Sequence, residues 1–307
     1  MKISIDGGAL TPKNNQRFGT AVFSENLVKA FQLYDKKNQY HVYTFDNLKP
    51  KLFWLKGRVS IEEFINKKAV FLALNQAIPF YTSGKVISFC HGLSYHFYPQ
   101  YYSVKDVTRL NIQLNEMIER SDIIIVSSQK VKNELTSMYR YIEQKIIVLP
   151  FGIPFDMKRG GIKKKEKYFL FVGMDHPIKN INFIKQAFNE FIKDKKYKDY
   201  KFYILTKNVS RKKLKKLYQK AAALLTSSHY ESFNFPVLEA LSQGCPVVGL
   251  KSAIIPELET YVNLTNNVEE FVEKMKKITK KPDVQSINQL YTKFNWKNYV
   301  KNLVKLY

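Results

Sequence analysis

The sequence predicts an α/β protein built from two doubly wound halves, and three observations carry that prediction. Short apolar runs alternate with longer amphipathic ones along most of the 307 residues, the pattern of parallel strands joined by crossover helices. The alternation is interrupted at Phe151-Gly152-Ile153-Pro154 and in the basic segment 158–167, where Gly160-Gly161 reads as a linker. A second series of the same kind then begins.

In the first half the strand candidates are residues 2–5, 41–45, 86–90, 123–126 and 146–149, with helices at 20–34, 104–120 and 129–139. In the second half strands are expected at 168–172, 201–205, 224–226 and 247–250, separated by helices at 182–193 and 211–222. A further helix opens at Pro236, after Asn234 as a capping residue, and closes at Gly244. The expected division is 1–158, 159–290 and a last helical segment 291–307. No repeat of solenoid length is present.

Composition excludes several classes. A hydrophobic share of 45% suits a globular core. The most apolar region, 69–89, is broken by Asn75, Gln76, Pro79, Gly84 and Lys85, so it forms no continuous spanning helix. The start, Met1-Lys2-Ile3-Ser4-Ile5-Asp6, lacks the long apolar core of a secretion signal. Cys90 and Cys245, the two cysteines, fall in or beside apolar strands and are expected to be buried, reduced thiols. A cytoplasmic location is expected. No D-x-D motif and no Cys/His cluster occurs, so neither a bound metal nor a cofactor is expected.

The formal charge is +24, and the stretch 158–220 holds twenty Lys or Arg against five Asp or Glu. Such a surface suits anionic headgroups, nucleic acid or an acidic glycan, and equally a merely solvated face. No zinc finger or RNP1 motif accompanies the lysines, which disfavours nucleic acid and leaves peripheral contact with an anionic membrane as the expected functional reading.

The most informative segment is His229 to Gly249, HYESFNFPVLEALSQGCPVVG. It sets Glu231 on a turn and Glu239 inside the following helix, with seven residues between them. A helix start offers unpaired N–H groups and partial positive charge, which suit phosphate, while carboxylates accept from hydroxyls. Phosphate and hydroxyls together describe a nucleotide sugar. The plain alternative is one solvated glutamate and one serving the helix dipole.

The run E-S-F-N-F-P-V-L-E-A followed by G-C-P-V-V resembles the E-x7-E signature of retaining glycosyltransferases of family 4. That resemblance implies the GT-B fold, two Rossmann-like domains whose parallel sheets face a cleft. It implies a catalytic role for Glu231 beside the donor sugar. Glu239 would hold the nucleotide ribose, and the backbone of Ser232, Phe233, Asn234 and Phe235 would meet the diphosphate. The family usually has Gly at Asn234 and often at Ser232, which leaves the backbone less free to approach the donor here.

Ligands in such sheets sit at the carboxyl ends of strands, and three more loops match the family there. Arg17-Phe18-Gly19-Thr20 resembles its glycine loop under the diphosphate, which points to Gly19. Phe89-Cys90-His91-Gly92 resembles its strand-end histidine, with Gly92 where Asp is usual, which points to His91 as a catalytic residue. The aromatic run 96–102 beyond it suits an acceptor or simple loop packing. Gly173-Met174-Asp175-His176-Pro177-Ile178-Lys179 supplies Lys179 for the leaving diphosphate. The family's accompanying Arg is absent, for Met174 and Ile178 occupy both places where it occurs; His176 or Arg17 is the candidate substitute.

The implied activity is metal-independent transfer of a hexose from a nucleotide diphosphate sugar to a hydroxyl of a glycan or lipid-linked acceptor. Departure of the diphosphate would be assisted by Lys179, Gly19 and the helix-start amides. The alternative is a catalytically weakened homologue that binds a nucleotide sugar, a glycan or a partner enzyme. A basic nucleic-acid-binding protein is the third reading and rests on charge alone.

Overall fold

The computed structural model describes residues 1–10, 19–48, 53–157, 163–207 and 209–307. Arg17 and Phe18 of the first glycine loop lie outside them, as does Gly160-Gly161 of the expected linker. The chain forms two compact units, Met1–Phe151 with Trp296–Tyr307, and Gly152–Asn295. The passages between them therefore fall at Phe151/Gly152 and Asn295/Trp296, against the breaks after 158 and 290 that the sequence suggests.

The first unit is a six-stranded sheet, β1 (Lys2–Asp6), β2 (Gln39–Tyr43), β3 (Val70–Ala73), β4 (Lys85–Cys90), β5 (Ile123–Val126) and β6 (Ile146–Val148). Its order is β2-β1-β3-β4-β5-β6, parallel throughout. All four residues of β3 are buried, as a central parallel strand requires when helices cover both sheet faces. The sequence reading passes over it because its run merges with the apolar stretch up to residue 89. The strand expected at 41–45 lies two residues earlier, at Gln39–Tyr43.

The helices of this unit are α1 (Gly19–Tyr34), α2 (Ser60–Ile65), α3 (Ser94–Phe97), α4 (Val104–Arg120) and α5 (Gln129–Met138). Ser103 and Ser128 start α4 and α5 by accepting from the backbone N–H of Asp106 and Val131, each such cap contributing about 1 kcal/mol. Leu114, Met117 and Ile118 of α4 and Val131 and Leu135 of α5 pack with Ile124 and Val126 of β5. The last helix, α11 (Trp296–Val304), belongs to this unit. The Phe23 ring of α1 lies 6.1 Å from Trp296 and 6.3 Å from Tyr299, and Lys85 donates to the Leu306 carbonyl at 2.7 Å.

The second unit holds β7 (Tyr168–Val172), β8 (Lys201–Leu205), β9 (Ala223–Thr226), β10 (Val247–Leu250) and β11 (Asn263–Thr265), in the order β11-β10-β9-β7-β8. Every pairing is parallel. Its helices are α6 (Ile181–Ile192), α7 (Arg211–Lys220), α8 (Phe235–Ser242), α9 (Val268–Lys276) and α10 (Val284–Lys293). Phe169, Phe171, Ile184, Phe191, Leu225, Val248 and Phe271 form its core. In both sheets the strand order reverses beside the first strand, between β1 and β3 and between β7 and β9. Such a switch point leaves a crevice at the carboxyl ends of the strands. Among the described residues no helix is long and apolar enough to cross a membrane.

Candidate active site

In the second unit two loops meet at the switch point. The loop after β7 leaves at Gly173, where a Cβ would stand 3.0 Å from the Phe171 ring. His176 then caps the turn Pro177–Lys179, its Nδ1 accepting from the Ile178 N–H at 3.2 Å. Asn180, in the left-handed region at φ 50°, turns the chain into α6. The loop after β9 is fastened to this turn. Ser227 Oγ contacts the carbonyls of Lys179 at 3.1 Å and Asn180 at 2.8 Å, and the His229 N–H donates to the Ile178 carbonyl at 2.8 Å.

These bonds bring Lys179 and Glu231 together, with Nζ 2.6 Å from Oε1. The same oxygen accepts from Ser228 Oγ at 2.7 Å. The two side chains are 18% and 12% exposed, so solvent screens the pair far less than a surface ion pair. Ile178 is buried and Met174 exposed, and neither offers a charge. The His176 nitrogen that caps the turn accepts a hydrogen bond, so it carries no proton there. Arg17, the other proposed substitute, lies outside the described residues.

The helix start that follows explains one departure from the family. Asn234 has φ 65°, a left-handed conformation in which Gly is easiest and Asn next best. Its Oδ1 caps α8 by accepting from the Val237 N–H at 3.4 Å, and its Nδ2 donates to the Ala253 carbonyl at 3.0 Å and to Thr226 Oγ1 at 3.3 Å. Asn234 thus takes the backbone shape that Gly would take and adds bonds to the end of β9 and to the turn after β10.

Glu239, further along α8, is 3% exposed and does not share the Lys179 pair. Its Oε1 accepts from Arg211 Nη2 at 2.6 Å and its Oε2 from the Tyr218 hydroxyl at 3.2 Å. Arg211 also grips Asp156 through Nε at 2.8 Å and Nη2 at 2.9 Å. Burial pushes the Glu239 carboxyl above the ordinary glutamate range, and the Arg211 guanidinium opposes that rise.

Of the residues singled out in the first unit, Gly19 is the first residue of α1. His91 follows β4, with Nε2 donating to the Leu74 carbonyl at 2.6 Å and the Phe23 ring edge-on at 5.2 Å. Burial lowers its pKa, so the neutral ring is favoured and Nδ1 is left as the acceptor. Gly92 has φ 109°. An Asp in that conformation would be strained, which is a backbone reason for Gly in the place where the family has Asp. Cys90 and Cys245 are buried free thiols whose pKa burial pushes up to about 11 and about 12. Within the aromatic run 96–102, Tyr98 and Tyr101 stack at 6.1 Å and the Tyr102 hydroxyl lies 2.6 Å from Ser94 Oγ, while Phe97 remains exposed.

Sequence reasoning does not find Arg211, Asp156, Tyr218, Ser227 or Ser228. Arg211 is hidden in its lysine run, yet it opens the helix that follows the loop after β8, capped by Ser210, and that position is the available signal. An open groove of about 730 Å³ lies along α10, lined by Tyr261, Gln285, Asn288 and Lys293 among others. It has no carboxylate and no strand end, so it is not the site. Among the described residues no group of three or more His, Cys, Asp or Glu could hold a metal ion.

Two parallel α/β units with residues gathered at a strand-order reversal define the GT-B class, and solved structures agree. The sucrose-phosphate synthase of Thermosynechococcus elongatus superposes with a TM-score of 0.74 at 14% identity, over 100% of this chain and 98% of that one. The Anabaena protein HepE, solved with UDP-glucose, gives 0.70 at 12% identity over 100% and 99%. Likeness at these identities establishes fold. Sequence carries it further, because residues 203–295 match the family described as glycosyl transferases group 1. The chain is also 27% identical over 275 residues to the O-antigen chain mannosyltransferase RfbU of Salmonella typhimurium, covering 80% of this chain and 74% of that protein. Together these findings support a glycosyltransferase with the two-domain Rossmann-like fold of the GT-B structures.

Proposed function

We propose that the protein is a retaining, metal-independent glycosyltransferase of family 4 type that moves a hexose from a nucleotide diphosphate sugar to a hydroxyl of a glycan or lipid-linked acceptor. The observation that carries this reading is the Lys179–Glu231 pair, 2.6 Å apart at the carboxyl ends of β7 and β9. A diphosphate arriving there meets an ammonium whose charge is already held in place, and the ammonium has three donors to share between Glu231 and phosphate. The amides at the start of α8, running from Ser232 to Phe235, add partial positive charge for the same anion. Glu231, steadied by Ser228, accepts from hydroxyls of the donor sugar. Glu239, held by Arg211 and Tyr218, receives the ribose. In the first unit, the family resemblance assigns Gly19 and the neutral His91 to the donor as well. The transferred group is a hexose by analogy with the mannosyltransferase relative, and the donor class follows the structural neighbour solved with UDP-glucose.

A weakened, donor-binding homologue is the second reading, favoured by the apolar Met174 and Ile178 beside Lys179. Calorimetry against UDP-, GDP- and ADP-sugars with turnover assayed in parallel separates the two. Binding of one donor with sugar transfer supports the enzyme. Binding without transfer supports the homologue, and no binding of any donor defeats both.

A further inference from the structure

The second unit carries a sheet edge that its own fold leaves open. β8 is the outermost strand, beyond β7, and pairs with that strand alone. The Lys201 N–H donates to the Lys167 carbonyl at 3.0 Å, and the Leu205 carbonyl accepts from the Gly173 N–H at 3.1 Å. Backbone groups of a parallel strand alternate between its two sides, so Lys201, Tyr203 and Leu205 turn theirs toward β7. The N–H and C=O groups of Phe202 and Ile204 therefore point outward, and among the described residues no hydrogen bond reaches them. An open row of this kind is a template for a further strand. The opposite edge differs. There Asn263 and Thr265 of β11 are buried, and the Thr279 and Lys280 N–H groups donate to Asn263 Oδ1 at 3.1 and 2.9 Å.

The side chains of β8 divide by face. Phe202 and Ile204 share the face covered by α6, where the Phe202 ring lies 5.5 Å from Phe188 and Ile204 remains 36% exposed. Lys201 and Tyr203 share the other, with the Tyr203 ring 4.8 Å from Tyr168 and 39% exposed. Edges of natural sheets are blunted by charge, proline or bulges, yet β8 has a single charge, at its first residue. Its surroundings are basic. Between residues 190 and 207 the carboxylates Glu190, Asp194 and Asp199 each hold a lysine, at 2.7, 3.7 and 3.7 Å. Lys195, Lys196, Lys198, Lys201 and Lys207 are exposed, and among the described residues none of them is in an ion pair.

We propose that the β8 edge takes up an acidic, extended segment of a partner protein as an added strand. Main-chain groups of that segment pair with the outward N–H and C=O groups of Phe202 and Ile204. Its apolar side chains lie beside Phe202 and Ile204, and its carboxylates, on the other face, meet Lys201 and the lysines at either end of the strand, Lys198 and Lys207. Charge selects this occupant over a second copy. Two such edges would bring their lysines together and repel, whereas an acidic strand is drawn to them. No residue of the Lys179–Glu231 site takes part, so this recognition is independent of the donor.

The test is fluorescence anisotropy of the full chain with a labelled peptide of alternating valine and glutamate, about eight residues long to match a strand. The native chain is expected to bind it. The same peptide N-methylated along its backbone keeps its charge and loses its main-chain donors, so its affinity should be lower by about tenfold or more. Ile204→Pro removes an outward donor and sets a proline ring on the open edge. Because β7 uses no N–H of residue 204, the melting temperature should hold while binding falls by about tenfold or more. Lys198→Gln with Lys201→Gln should weaken binding by about threefold or more. Failure of the native chain to bind the acidic peptide overturns the proposal. Equal binding of the N-methylated peptide, or of one alternating valine and lysine, also overturns it, as does undiminished binding by a folded Ile204→Pro variant. So does a native dimer in light scattering that Ile204→Pro dissolves.

Discussion

Two glutamates of the second unit each hold a cation at 2.6 Å, and the contrast between them organises the site. Glu231 stands on a loop, keeps 12% of its side chain exposed, and pairs with a lysine. Glu239 lies within α8, keeps 3%, and pairs with an arginine whose fork is already locked on Asp156. An ammonium on a flexible stem can keep its glutamate and still turn toward an arriving phosphate. A guanidinium held by three bonds to two carboxylates cannot turn, so it fixes its glutamate in position. On the proposed function the first pair takes part in an exchange of charge, while the second holds a shape.

Removing Glu231 is the largest disturbance. Glu231→Ala should lower turnover by about 10³-fold while leaving the fold intact, the size of loss expected when a site-forming charge is deleted, and steady-state kinetics beside a thermal melt checks both halves. Lys179→Ala should cost about 10²-fold in turnover, with Lys179→Arg recovering part of it, because the diphosphate then leaves with less compensation.

Arg211→Met should instead act on stability. It strands the Glu239 carboxylate and should cost about 3 kcal/mol, as breaking a buried pair does. The cost depends on pH. Glu239 already titrates above its ordinary 4.5, and losing Arg211 raises it further. A carboxyl whose folded pKa exceeds its unfolded value binds more protons when folded, so stability is lost as pH rises from 4.5. The gap in unfolding free energy between native and variant should therefore widen from acid to neutral pH in denaturant titrations. Gly92→Ala should lose about 1–3 kcal/mol, because φ 109° strains any side chain. Charge reversal of Lys212 or Lys216, both exposed, should move stability by no more than about 0.5 kcal/mol.

The same contrast shows what was legible in the sequence. Glu231 and Lys179 stand out because each closes a strand-end loop of recognisable composition. Arg211 looks like one more cation among Lys212, Lys213, Lys215 and Lys216, and only its place at the start of α7, after Ser210, sets it apart. In the fold, strands of continuous apolar residues such as β7 are readable, since burial on both faces demands that run. β11 is not. Its Asn263 and Thr265 are buried polar residues satisfied through Val247, Lys280 and Gly249 carbonyls, partners that no local pattern reveals. The helices α9 and α10, and β3 inside its apolar stretch, are also missing from the sequence reading, whereas Asn234 is understood only once its φ is known.

On the proposed function, Lys179 and Glu231 act as one unit on the donor. The direct measurement is turnover of Lys179→Ala, Glu231→Ala and the double variant under one set of conditions. Residues acting as a unit give grossly non-additive losses, so the double variant should be no slower than the slower single variant within about threefold. Losses that multiply would mean that the two side chains work separately, and would contradict the account.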